Sequence, residues 1–153
     1  MKEKECLNNL KSQKNKITNK MTNKEIVKAW YSALEVNDFN TIKNFMGNKY
    51  QFRNPMSPTP ISSEEHLGMM DMMKSSFEAR HEFDVFIEEE NYVTVSGKWS
   101  AKHIGDFNGI PATGKLIELY LIDVFEIVDG KVLYHHIEFN PMLIMAQIRA
   151  TSN

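Results

Sequence analysis

Three stretches of this chain carry side chains able to move a proton. The first is AKHIGDFNGIPATGK, residues 101–115, where a histidine ends a strand-like run two residues before a glycine. Alternation along that run puts Val93, Val95, Trp99 and His103 on one face and Lys98, Ser100 and Lys102 on the other. His103 therefore belongs with the apolar set. An imidazole titrates near neutral pH, which suits proton transfer or the polarising of a carbonyl. The alternative is a buried histidine satisfied by a backbone carbonyl.

The second stretch is YHHIEFN, residues 134–140. Alternation divides it into Tyr134, His136, Glu138 and Asn140 on one side and His135, Ile137 and Phe139 on the other. Hydrophobicity alone favours Ile137 and Phe139 as the inward pair. His136 and Glu138 share a side and could both reach a metal, but no third ligand lies nearby in sequence, so no metal is expected. The third stretch is LIDVFEIV, where Asp123 shares a face with Leu121, Phe125 and Ile127. A carboxylate in that company is either paired or raised in pKa. Tyr31, on a helix, offers a hydroxyl, with core packing as its simpler use. Asn54 ends a short strand beside Arg53. Met70 and Met73 belong to the run MMDMM, whose flexible thioethers suit an adaptable apolar pocket. His66 opens a helix beside two glutamates and is expected on the surface. His81, at a strand start, is open to either reading.

The elements that position these residues follow from periodicity and caps. Thr22 with Glu25 forms a capping box ahead of Ile26, Val27, Trp30, Tyr31 and Leu34, one apolar helix face. Asn37–Asp38 caps a second helix carrying Phe39, Ile42, Phe45 and Met46, with Gly47 expected to end it. Tyr50–Arg53 reads as a short strand stopped by Asn54–Pro55. Ser62 with Glu65 opens a third helix. After Arg80 the period changes to two, through 83–88, 93–103 and 116–128, and Asp129–Gly130 turns the chain into a returning strand over 132–140. Pro141 opens a terminal helix. Helices first and an antiparallel meander afterwards means α+β. Long strands covered on one face by helices tend to curl and leave a cavity between the layers.

The chain has 153 residues and a net charge of −2, and 42% of it is hydrophobic, which fits one soluble globular domain over residues 21–150. Residues 1–20 hold six lysines and two glutamates. With no arginine and no aromatic ring to stack on a base, this extension reads as a solvated tail with a short helix, not as a nucleic-acid contact. No apolar run approaches about 18 residues, so no membrane span is expected. The single Cys6 allows no internal disulfide and fits a reducing cytoplasm. Both faces of 116–128 are apolar, more than one core can cover, which points to a homodimer through the sheet.

The motif His103, Gly105, Phe107, Gly109-Ile110-Pro111, Thr113-Gly114-Lys115, followed by Asp129-Gly130-Lys131 and a terminal MLIMAQI, resembles the SnoaL-like polyketide cyclases of the nuclear transport factor 2-like superfamily. The resemblance covers residues 22–148. It implies a cone-shaped curved antiparallel sheet wrapped on N-terminal helices, usually dimeric, with an apolar pocket inside. It also implies ring closure by intramolecular aldol condensation without metal or organic cofactor. By the same resemblance the strand face of His103 lines the pocket, and the family's acid/base position points inward.

That position carries a departure. Counting from Asp129, a family tryptophan falls at His136 and the acid/base aspartate at Asn140. An amide donates and accepts hydrogen bonds but removes no proton. The expectation is therefore an enzyme of cyclase or isomerase type acting on an apolar carbonyl compound. His103 and Glu138 would be its acid/base pair, with Asn140 as a donor, and Tyr31, Asn54, Trp99, Asp123, His136, Met70 and Met73 would line the ligand. The alternatives are a non-catalytic binder of small apolar molecules and an interaction module using the sheet face.

Overall fold

The computed structural model describes residues 20–150. The lysine-rich extension and its expected short helix fall almost wholly outside that range. Helix α1 (Asn23–Glu35) starts at Thr22, whose side chain accepts from the Glu25 amide while Glu25 reaches back to the Thr22 amide. It buries Ile26, Val27, Trp30 and Tyr31. Asp38 caps α2 (Phe39–Phe45) by accepting from the Thr41 amide. That helix ends at Met46 rather than at Gly47, because the chain passes directly into β1 (Met46–Arg53). Ser62 and Glu65 form the second capping box, on α3 (Ser63–Ser76).

Four long segments follow: β2 (Phe77–Glu89), β3 (Tyr92–His103), β4 (Leu116–Val128) and β5 (Lys131–Glu138). A short α4 (Met142–Arg149) closes the chain. Asp129 and Gly130 both adopt positive φ, as the tight hairpin between β4 and β5 requires. The strand order is β1-β5-β4-β3-β2 in one curved, unclosed sheet. β2 to β5 form the expected antiparallel meander. β1 departs from it and pairs parallel to β5. A chain entering from a helix layer reaches that edge in the same direction as β5, since α3 must still cross to the far side.

The helices cover one face of the sheet. The first core cluster gathers Trp30, Ile42, Phe52, Val93, Val95 and Phe125; the second gathers Phe77, Trp99, Ile117, Leu121, Ile144 and Ile148. β4 shows why one face is inside: Ile117, Leu119, Leu121, Asp123, Phe125 and Ile127 are buried. The alternate residues Leu116, Tyr120 and Ile122 stand exposed at 65%, 72% and 51%. The expectation of a strand covered on both faces is thus not met within one chain.

Gly97 sets how closely β2 and β3 approach at the bulge between Phe83 and Val85. A Cβ there would lie 2.2 Å from the Glu82 carbonyl oxygen and 2.8 Å from Phe83 Cα. Backbone cannot yield as a side-chain tip can. Gly97→Ala should therefore lower unfolding free energy by about 1–3 kcal/mol, the usual cost of overpacking. Urea denaturation checks this, and an unchanged midpoint would show that the two strands can part without cost.

Candidate functional site

Between the helix layer and the concave sheet face lies a cavity of about 230 Å³. Its wall is mostly apolar: Trp30, Phe52, Met70, Met73, Trp99 and Leu119 contribute, with Ile137 and Phe139 from the end of β5. Polar groups also enter the lining. Tyr31, Asp123, His135 and His66 stand in the wall. Glu35, Asn37, Asn54, Lys74, Glu78 and His81 also contribute to the lining.

The groups in the wall are joined. Tyr31 Oη donates to Asp123 Oδ2. His135 Nε2 lies 3.0 Å from Asp123 Oδ1. Tyr50 Oη is 3.3 Å from His135 Nδ1 and 2.7 Å from His66 Nδ1. The rings that frame this chain are closely packed: His66 stacks on Phe52 at 3.6 Å between centroids and His135 on Phe125 at 4.1 Å. Trp30 meets His135 edge-on at 5.6 Å. Such packing holds each ring's donor and acceptor directions fixed.

Burial decides the charge state. Desolvation raises the Asp123 carboxyl well above its usual value, against a smaller lowering by the charge of His136. Desolvation also lowers His135 to about 3, and the charge of His136 adds to that effect. His66 is lowered in the same way, by burial first and by His135 second. The favoured state is a neutral acid beside neutral imidazoles, because separate charges would have to be paired out of reach of water. With His135 neutral, its Nε2–H donates to Asp123 Oδ1 and its Nδ1 accepts from the Tyr50 hydroxyl.

A second histidine–carboxylate pair also contributes to the cavity wall. Glu35 Oε1 accepts from the His81 amide at 2.7 Å and lies 2.8 Å from its Nδ1. Burial alone would raise Glu35, but hydrogen bonds from the His81 ring and backbone, with the charges of His81 and Arg80, bring it below the usual value. The Asn54 side chain accepts from the Met56 amide at 2.8 Å and so pins the loop that follows β1.

The family model of the SnoaL-like polyketide cyclases matches residues 24–148. The chain belongs to that family. Solved structures of similar fold include AclR of Streptomyces galilaeus, a candidate hydroxylase, at 20% identity and a TM-score of 0.77, covering 86% of this chain and 83% of that one. IdmH of Streptomyces antibioticus, a candidate polyketide cyclase, aligns at 18% identity and a TM-score of 0.76, over 85% of this chain and 100% of the other. A SnoaL-like protein of Jannaschia sp. CCS1 aligns at 17% and 0.77, over 85% and 93%. Among curated proteins none matches the sequence.

Within this member of the family, Tyr31, Asn54, Met70, Met73, Trp99 and Asp123 stand in the cavity wall. The other sequence-derived candidates stand elsewhere. His103 is fully buried on the inner face of the sheet but is not among the residues lining the cavity. Its Nδ1 accepts from the Thr113 amide at 3.3 Å and lies 3.0 Å from the Thr113 hydroxyl. The ring thereby fastens the 104–115 loop back onto β3. Gly105 lets that loop pass the end of α3, since a Cβ there would meet the Ser75 carbonyl oxygen at 2.2 Å.

β5 has the opposite facing from the one the resemblance implied. Its inward residues are His135, Ile137 and Phe139. His136 and Glu138 bond to each other at 2.7 Å on the outer face, with 29% and 59% of their side chains exposed. Glu138 and Asn140 border a shallow outer depression beside Tyr120 and Ile122. The apolar pair decides this facing: turning β5 over would expose Ile137 and Phe139 and bury Glu138. His66 is buried rather than exposed. Its signal was its place on the stripe His66, Met70, Met73, Phe77, at helical spacing. His135 was legible by alternation with Ile137 and Phe139.

The neutral buried histidines make a pH signature. In the unfolded chain His135 titrates near 6.5, whereas in the folded one it titrates at about 3. Between those values the unfolded chain holds the extra proton, so stability falls as pH falls. The contribution is complete above 6.5 and lost toward 3; His66 acts in the same sense. Asp123, being raised, contributes below 3.8 and loses that contribution as pH rises through its folded value. Thermal melts should show the midpoint falling from pH 7 to pH 4, with a shallower slope in His135→Gln. Identical slopes would show that His135 is not buried in neutral form.

Proposed function

We propose that this protein catalyses acid–base chemistry of cyclase or isomerase type on an apolar carbonyl compound held in the cavity. The observation that carries this reading is a buried carboxyl, Asp123, in an apolar cavity wall, bonded to His135 and to the Tyr31 hydroxyl, with burial pushing its pKa well up. A carboxyl that burial inclines to hold its proton can donate to a carbonyl oxygen as negative charge builds there. Tyr31 supports Asp123 at that corner. Enolisation of the carbonyl compound is the shared first step of aldol ring closure and of double-bond isomerisation. Asp123 supplies the acid half of that step, the proton for the carbonyl oxygen, and a base in the cavity must take the proton from the α-carbon. The aromatic rings and thioethers of the wall fit a flat, mostly apolar molecule.

A second reading is a binding protein with the same cavity and no turnover. It is favoured by Asn140, which stands where the family's acid/base position falls and carries no titratable group. One experiment separates the two. The apolar ketone 2-tetralone serves as probe, with binding read from the fluorescence of Trp30 and Trp99 in the wall and enolisation from deuterium uptake at its α-carbons in D2O. The enzyme exchanges those protons, and Asp123→Asn slows exchange by about 100-fold or more, the usual scale for an acid–base group, with little change in binding. A binder takes up the ketone and exchanges nothing beyond the buffer rate.

We infer also that a second copy of this chain covers the outer sheet face. Leu116, Tyr120 and Ile122 stand exposed on the outer face of β4, with the ion-paired Glu118 between the first two, and the neighbouring β5 adds Tyr134 and His136. A central strand bearing large apolar groups on its solvent side is an association surface. Light scattering at micromolar concentration should return twice 17.7 kDa, and Tyr120→Lys should return the single mass.

A further inference from the structure

We propose that His66 is the base that faces Asp123 across the bound ketone, and that Tyr50 and His135 connect the two ends as a closed proton relay. This rests on the acid–base reading above and names the partner which that reading lacks. His66 and Asp123 both line the cavity, yet they come from different layers, α3 and β4. Between them run three contacts: His66 Nδ1 to Tyr50 Oη at 2.7 Å, Tyr50 Oη to His135 Nδ1 at 3.3 Å, and His135 Nε2 to Asp123 Oδ1 at 3.0 Å. His66 Nε2 has no hydrogen-bond partner among the described residues.

The two imidazoles and the carboxyl can give a proton at one atom while taking one at another, and the Tyr50 hydroxyl does both at its single oxygen. The turnover balances as follows. The α-carbon of the ketone loses a proton to His66 Nε2, and His66 passes its Nδ1 proton to Tyr50 Oη. Tyr50 gives its hydroxyl proton to His135 Nδ1, and His135 gives its Nε2 proton to Asp123 Oδ1. Asp123 gives its Oδ2 proton to the carbonyl oxygen. The C–H electron pair becomes the new C=C bond and the carbonyl π pair becomes the enol O–H bond. The protein keeps its proton count, both imidazoles exchange tautomers, and the carboxyl stays neutral. The reverse passage delivers a proton to carbon.

The physical case is the cost of charge. His66 and His135 are buried; an imidazolium at His66 would have no carboxylate in contact among the described residues, and one at His135 would require an ionised Asp123 beside it out of reach of water. A base that had to hold the proton as a cation would be weak there. A relay that returns each ring to neutrality removes that cost. Tyr50 is the positioning residue: it is buried, is not among the cavity-lining residues, and touches both rings.

Deuterium uptake by 2-tetralone tests the relay. Tyr50→Phe should slow exchange at least about tenfold, and His66→Gln about 100-fold, while the fluorescence-read affinity for the ketone stays within about twofold. Exchange that is lost in Asp123→Asn but kept in Tyr50→Phe and His66→Gln would overturn the relay and leave the acid–base reading standing. A wild-type protein that binds 2-tetralone without exchange overturns both. Ring ¹⁵N spectra of the wild-type protein at pH 7 test the relay without any variant. The expected pattern is one proton per ring, on Nδ1 of His66 and Nε2 of His135, or on the opposite nitrogen in both. An imidazolium in either ring, or protons on both Nδ1 atoms facing Tyr50, overturns it.

Discussion

The hydrogen bond between Asp123 and His135 is the contact around which the interior is arranged. A carboxyl in the middle of an apolar strand face must find a partner or leave the core. Here the partner comes from the adjacent strand: β4 and β5 pair so that Asp123 stands opposite Ile137, with His135 opposite Phe125. The imidazole reaches diagonally along the sheet to the carboxyl, and Tyr31 reaches down from α1 to the other oxygen. Leaving such a buried polar atom unpaired costs about 1–3 kcal/mol, so strand register and helix placement are tied to the same pair. The bond also selects which face of β5 turns inward.

The rest of the cavity follows from what surrounds that pair. Rings from every layer pack against one another: Phe52 from β1, His66 from α3, Trp30 from α1, Phe125 from β4. Aromatic contacts of this kind add about 0.5–1.5 kcal/mol each beyond area burial. They also exclude water, which keeps carboxyl and imidazoles neutral and makes each hydrogen bond directional. The second pair, His81 and Glu35, illustrates the contrast. Hydrogen bonds from the His81 ring and backbone, helped by nearby charge, overcome the effect of burial there and hold Glu35 ionised. One cavity thus offers a neutral polar corner and an anionic one, set apart by what each carboxyl is given to bond with.

His103 shows how a family motif and a chemical role can separate. The histidine and the glycines around it form a structural device: the ring accepts from Thr113, and Gly105 and Gly114 let the loop fold back against α3 and β3. That loop sets Phe107 against Phe77 at one end of the sheet, and Phe77, not the histidine, is the residue there that lines the cavity. A motif of this kind is informative about the fold it maintains. It says less about which atoms meet a ligand.

Local rules determined much of this protein. Both capping boxes, the hairpin at Asp129–Gly130, the helix face of Trp30 and Tyr31, and the inward side of β3 and β4 are all consequences of neighbours within a few residues. Membership of the family was legible in the 103–115 and 129–131 motifs. Tertiary structure decided what those rules leave open. β5 has mixed residues on both faces, so its facing depended on Ile137 and Phe139 finding the cavity and on Asp123 needing His135. His66 looked like a surface residue beside two glutamates until α3 docked and its stripe met Phe52. The parallel edge strand β1 depended on where α3 had to cross. In each case the deciding partner lies 12 residues away or more, on another element, and a contact at that separation leaves no mark in the local pattern.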